Sequence, residues 1–378
     1  MDELNCDLLI RAGRIFCAEN AIDGPGAVGV KGDRIVAAGT DVSGTAHQTL
    51  EFDDALLLPG LVDLHAHPAR DGSKYGIDPD EHFLPRGVTT VMSQGDAGAN
   101  NWADYRSDVI EASTIRVLMA LNLAAPGETK TAGCFEDLND VDVDACVRTI
   151  EESGDSIWGI AANCSVPCCG GNDPDEILAR AIEAADRTGL PILFGTRRDP
   201  DRSLASELAR LRPGDVVTYC FHPESDTLVK DGRIRDEVWE ARGRGVLFDI
   251  GHGMGSFSFE VAEAAIADGF CPDTISTDQY KRHVGSVPQH DLPRTMSKLI
   301  AVGLPETEAF ARITVRPANV LGLASEVGTL SPDSCADLTV LKWDEDALPL
   351  VDINGVERPG GCWESVLTVR AGKVVSSS

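Results

Sequence analysis

Apolar and polar positions along the chain fall into two textures. Residues 5 to 55 hold short alternating runs, such as Leu8-Leu9-Ile10-Arg11-Ala12-Gly13-Arg14-Ile15-Phe16 and Arg34-Ile35-Val36-Ala37-Ala38-Gly39, divided by Gly-containing turns. The same texture returns in Ala336-Asp337-Leu338-Thr339-Val340-Leu341 and in Val366 to Val375. Both ends are therefore expected to be strands of one small β domain, a sandwich assembled from residues 1–55 and 325–378.

Between them the pattern changes to short apolar runs that alternate with helical or loop segments. The runs are Leu56 to His67, Thr89 to Gln94, Arg116 to Leu123, Ser156 to Cys164, Pro191 to Gly195, Asp215 to His222, Val246 to His252 and Thr274 to Asp278. The stretch Asp175 to Ala185 places apolar residues at i, i+3 and i+4 spacing, which predicts a helix before the fifth run. Strand then helix, repeated, predicts a parallel (β/α)8 TIM barrel over residues 56–324.

The first of these runs carries the sharpest chemistry, Pro59-Gly60-Leu61-Val62-Asp63-Leu64-His65-Ala66-His67-Pro68. Strand side chains alternate faces, so His65 and His67 point together. Two neutral imidazoles at the carboxyl end of a barrel strand are a ready ligand pair for a borderline divalent metal. The competing reading is a chance His pair on an edge strand.

The segment Pro59 to His67 resembles the first-strand motif of the amidohydrolase superfamily of metal-dependent hydrolases. Arg86-Gly87-Val88-Thr89-Thr90-Val91 resembles the lead-in to the family's second strand, Val246 to Gly253 its seventh strand and turn, and Thr274-Ile275-Ser276-Thr277-Asp278 its eighth. In this order the segments are similar to the dihydroorotase-like deacetylase branch, and the resemblance spans nearly the whole chain. It also implies the small β domain flanking the barrel.

The resemblance implies a ligand set that this chain keeps only in part. The family's first metal is held by the His-x-His pair and an Asp after the eighth strand, which match His65, His67 and Asp278. Its second metal is held by a carboxylated Lys after the fourth strand and by one His after each of the fifth and sixth. The matching positions here are Ala161, Gly195 and Tyr219. All three missing ligands serve the second metal, so the expectation is a mononuclear site on His65, His67 and Asp278, or a pocket that binds no metal. Zinc suits two imidazoles and a carboxylate, as do manganese and iron.

Substitute ligands are the cluster Cys164, Cys168 and Cys169, and His222 if a bulge brings its ring to the sixth-strand position. Asp278 is the candidate general base. His252, in the Gly251-His252-Gly253 turn, is a candidate for binding substrate or an oxyanion, its alternative being a hydrogen bond that positions the loop; Tyr219 is a second oxyanion candidate. Arg197 and Arg198 follow the fifth strand, where they could hold a substrate carboxylate or replace the charge of the second metal. Asn163 and His222 complete the candidate substrate contacts.

The expected function is a hydrolase of an amide, cyclic amide or acyl ester of a small anionic molecule, with a lyase, isomerase or non-catalytic ligand-binding homologue as the alternative. Composition adjusts this picture in two ways. A net charge of −28, with eight Lys against 25 Arg, should repel nucleic acid and anionic membrane. The 11 scattered Cys lack paired metal-ribbon spacing, and no charged-then-apolar leader opens the sequence, so reduced thiols and a cytoplasmic location are expected. A homo-oligomer is compatible with the resemblance.

Overall fold

The computed structural model describes residues 4–377. Both termini contribute to one seven-stranded sheet. Its N-terminal strands are β1 (Leu4–Cys17), β2 (Ile22–Lys31), β3 (Arg34–Gly39) and β4 (Gly44–Pro59), and its C-terminal strands are Leu338–Asp344, Cys362–Arg370 and Lys373–Ser377. The run Val366 to Val375 is thus two antiparallel strands joined at Ala371-Gly372, because Ala371 and Gly372 both take positive φ and turn the chain. β1 pairs in parallel with β4, and β4 pairs antiparallel with Leu338–Asp344. Leu8, Ile10, Val28, Leu57, Leu338, Val340 and Val369 bury one side of this sheet in a core of its own.

A second sheet holds seven parallel strands, in an order that follows the chain. These are β5 (Leu61–Ala66), β6 (Val88–Gln94), β7 (Arg116–Asn122), β8 (Ile157–Asn163), β9 (Ile192–Gly195), β10 (Val216–Thr218) and Leu247–Phe248. Every residue of β5 and β6 is buried, as befits strands covered on both faces. Gly60 interrupts the run Leu56 to His67, whose first part belongs to β4 in the terminal sheet and whose second part is β5.

The eighth apolar run, Thr274 to Asp278, forms isolated bridges rather than a regular strand. It still meets both edges of the sheet. Ile250 donates to the Thr274 carbonyl and His252 to that of Ser276, while Asp278 donates to the His65 carbonyl at 2.7 Å and His67 to that of Gln279. The result is a mixed α/β fold around a curled parallel sheet. Helices pack outside it, including Pro174–Thr188, capped by Asp173 and ended by Gly189, and Leu292–Ala301, capped by Asp291. All 11 Cys are free thiols, and among the described residues no helix is long and apolar enough to cross a membrane.

Candidate functional site

His65 and His67 emerge from the end of β5 on one side, as strand alternation requires, and the eighth segment brings Asp278 between them. One oxygen of Asp278, Oδ1, lies 3.4 Å from Nε2 of His65 and 3.3 Å from Nε2 of His67. The other ring nitrogens are committed elsewhere. His65 Nδ1 lies 2.7 Å from Thr218 Oγ1, whose hydroxyl donates to Asp249, and His67 Nδ1 lies 2.9 Å from Asp96 Oδ1. Both Nδ1–H groups thus have acceptors, and both Nε2 atoms face the same carboxylate. The three residues form a group able to hold a metal ion.

Asp249 also accepts from Thr274 and Ser276, and Asp63 from Thr277 at 2.6 Å, so hydroxyl–carboxylate contacts brace the base of the site. Burial alone would raise Asp278, but hydrogen bonds and charge from His65 and His67 hold it well below the usual carboxylate range. Burial lowers His67, yet Asp96 and Asp278 outweigh it and lift the ring to about 10, so the pocket favours positive charge there. Asp96, unremarked in the sequence, is legible only as the carboxylate two residues beyond the end of β6.

The positions of the second metal are filled. Ala161 lies buried in β8. A side chain at Gly195 would begin 2.7 Å from Asn163 Oδ1 and 3.2 Å from Tyr219 Cε2, so the space that a ligand would need is taken. Tyr219 is buried, with its hydroxyl 3.3 Å from His65 Nε2. The Arg198 guanidinium lies over the Tyr219 ring, 4.7 Å from its centroid, and is held by Ser256 Oγ at 3.1 Å and Glu224 at 3.4 Å. Burial and the Asp278 charge push the Tyr219 phenol well above its ordinary value, so it stays protonated at neutral pH. Arg198, Tyr219 and Asp278 all adopt positive φ, a conformation uncommon in residues other than glycine that concentrates at functional sites.

Other candidates are placed elsewhere. Arg197 is tied to Asp201 through two nitrogens, and its backbone N–H donates to Glu207; it anchors its own loop instead of meeting the His pair. His222 stands apart from the His65, His67 and Asp278 group, and burial together with Arg198 presses it down to about 3. Cys168 joins Cys134 and Glu128 in a separate cluster, while Cys164 and Cys169 are buried beside one another, so none of the three thiols supplements the His pair. Asn163 Oδ1 accepts from Ser165 N and borders Gly195.

His252 makes the hydrogen bonds of its loop-positioning alternative. Its Nδ1 donates to the Gly253 carbonyl at 2.7 Å and its Nε2 accepts from Lys298 Nζ at 2.8 Å, leaving the neutral ring no free proton. Its neighbour Gly253 lies directly against Asp278: a Cβ there would collide with the carboxylate, and φ is +49°. Sequence reading passed over Tyr75 and Tyr280, whose rings stand 5.0 and 6.0 Å from that of His67 and wall one side of the site.

Comparisons with known proteins agree with this architecture. A deacetylase of Enterococcus faecalis is 31% identical over 94% of this chain and 95% of its own length, and a deacetylase of Agrobacterium fabrum is 34% identical over 85% and 79%. Solved structures of an adenine deaminase and of a dihydroorotase each superpose with a TM-score of 0.88 at 30% identity, covering 98% of this chain and 99% and 98% of theirs. No family model matches the chain. Shared sequence over nearly the full length, a shared fold and a His-x-His strand end facing Asp278 make this chain a member of the amidohydrolase superfamily, in its dihydroorotase-like branch.

Proposed function

We propose that the protein hydrolyses an amide, cyclic amide or acyl ester of a small anionic molecule, using one divalent metal ion held by His65, His67 and Asp278. The observation that carries this reading is the convergence of the two Nε2 atoms on one Asp278 oxygen while both Nδ1 atoms are anchored from behind. Such a donor set fits a cation, and the charge balance around His67 favours one. When bound, the metal supplies Lewis acidity toward water and a carbonyl oxygen. Zinc is the first choice for this donor set, with manganese or iron next.

The chain's own groups divide the remaining work. Asp278, kept ionised, takes the proton of the attacking water and returns it to the leaving nitrogen or oxygen. Tyr219, kept protonated, donates a hydrogen bond to the developing oxyanion. Arg198, stacked on Tyr219, brings positive charge to the side where the family's second metal would be and fixes the ring. The barrel region carries this chemistry, and the terminal sheet, whose strand β4 runs on to Pro59, leads directly into its first strand.

Metal content per chain tests the reading, measured on protein purified without chelators. About one metal ion per chain, lost in His65→Ala/His67→Ala together with hydrolysis of N-acyl and O-acyl acids, is the expected outcome. Absence of metal together with no turnover would instead favour a ligand-binding homologue.

A further inference from the structure

Behind the Asp278 segment lies a second cavity, of about 300 Å³, between the turn at His252 and the helix Leu292–Ala301. Its polar lining is rich in donors without acceptors. Lys298 is 6% exposed and has no carboxylate within ion-pair distance among the described residues; only one of its three N–H groups is used, toward His252 Nε2. Arg294 is 8% exposed, and its guanidinium, likewise without a carboxylate partner, donates only to the Leu348 carbonyl.

His283 adds a third donor. The Tyr280 backbone N–H donates to its Nδ1, which leaves the proton of the neutral ring on Nε2, and that buried atom has no partner. The Ser286 hydroxyl, on the same wall, is also buried and unpartnered. One acid lines the cavity, Asp352, but its two oxygens already accept from the backbone N–H groups of Phe259, Asn354 and Val356. A buried ammonium and guanidinium that touch no carboxylate, with Asp352 and Asp291 acting only from a distance, are costly to maintain, and unmatched donors call for an acceptor.

We propose that this cavity binds a small carboxylate, with Lys298 and Arg294 as its counter-charges and His283 and Ser286 as hydrogen-bond donors. Val351, Ile353 and Met254 give it an apolar side for a short carbon chain. The cavity is next to the reacting centre: Gly253 belongs to its wall and touches the Asp278 carboxylate, and Tyr280 packs against both His67 and His283. On the hydrolase reading above, on which this last step rests, the carboxylate is the acid end of the substrate.

Binding can be read without turnover. Carboxyl-labelled butyrate is titrated by 13C NMR into the full chain, with butyramide as the neutral isostere. The expected result is saturable butyrate binding at one site, at least tenfold weaker for butyramide. The same loss is expected in Lys298→Met and only a partial one in Lys298→Arg, while His65→Ala/His67→Ala retains binding. Equal affinity for butyramide, no saturable binding, or binding kept in Lys298→Met and lost in the His pair variant would each overturn the proposal. If Lys298→Met does not fold, Arg294→Gln decides by the same tenfold criterion. Failure of the hydrolase reading leaves a different mark, namely butyrate binding that persists in a protein without metal or turnover.

Discussion

The Tyr219 hydroxyl lies 3.3 Å from Nε2 of His65, the same nitrogen that faces Asp278. A proton donor is thereby held beside one of the three residues proposed to hold the metal. Tyr219→Phe removes that donor and leaves the ring under Arg198. The expected effect is a fall in kcat of roughly 10²- to 10³-fold, the loss typical of one oxyanion donor, with metal content unchanged. Steady-state kinetics paired with elemental analysis checks it; loss of metal would assign Tyr219 to the ligand set instead.

Asp96 acts on the site through His67, whose Nδ1 it holds at 2.9 Å. Asp96→Asn keeps the shape and removes the charge. Metal affinity is expected to fall by about 10- to 100-fold, as for other carboxylates behind a ligating His. Competition with a metallochromic chelator measures it, and an unchanged affinity would count against metal binding through His67.

Restoring a His at the fifth-strand position should not restore a second metal. Gly195→His would thrust its Cβ against Asn163 and Tyr219. The expected outcome is a loss of about 1–3 kcal/mol in stability from overpacking, with no gain in metal stoichiometry. Chemical denaturation and elemental analysis of the variant decide the point.

His222 makes a pH prediction of definite sign. Its folded value of about 3 lies below its ordinary 6.5, because burial and Arg198 oppose the charged ring. As pH falls below about 6.5, the unfolded chain takes up a proton that the folded chain refuses, so stability contributed at neutral pH drains away down to pH 3. The slope approaches about 1.4 kcal/mol per pH unit for one proton. Unfolding curves between pH 7 and 4 should be flatter for His222→Gln than for the parent; parallel curves would refute the assignment.

Much of the site was legible in the sequence because it obeys local rules. His65 and His67 share a face through strand alternation, and the three absent ligands stood out through their positions at strand ends. The distinction between Arg197 and Arg198 was not legible, since it turns on positive φ at Arg198 and on Asp201 capturing its neighbour. Lys298 escaped notice for a different reason. It lies in a helix buried on every side from Leu292 to Leu299, and only tertiary packing reveals that a cation is enclosed there. Thr274 to Asp278 reads as a strand in the sequence, yet in the fold it makes only isolated bridges, with both its edges engaged.

The pairing of β4 with β1 in parallel on one edge, and with Leu338–Asp344 antiparallel on the other, bears on how the chain folds as it leaves the ribosome. The strand that delivers the chain to His65 and His67 has one neighbour synthesised shortly before it and another synthesised long after it. A nascent chain can therefore begin the curled sheet early but cannot secure its entrance until residues 338–342 have left the exit tunnel. Contacts of such long sequence separation slow the final step and leave the edge of β4 exposed in the interval. The setting of the two histidines thus waits on a strand synthesised long after them.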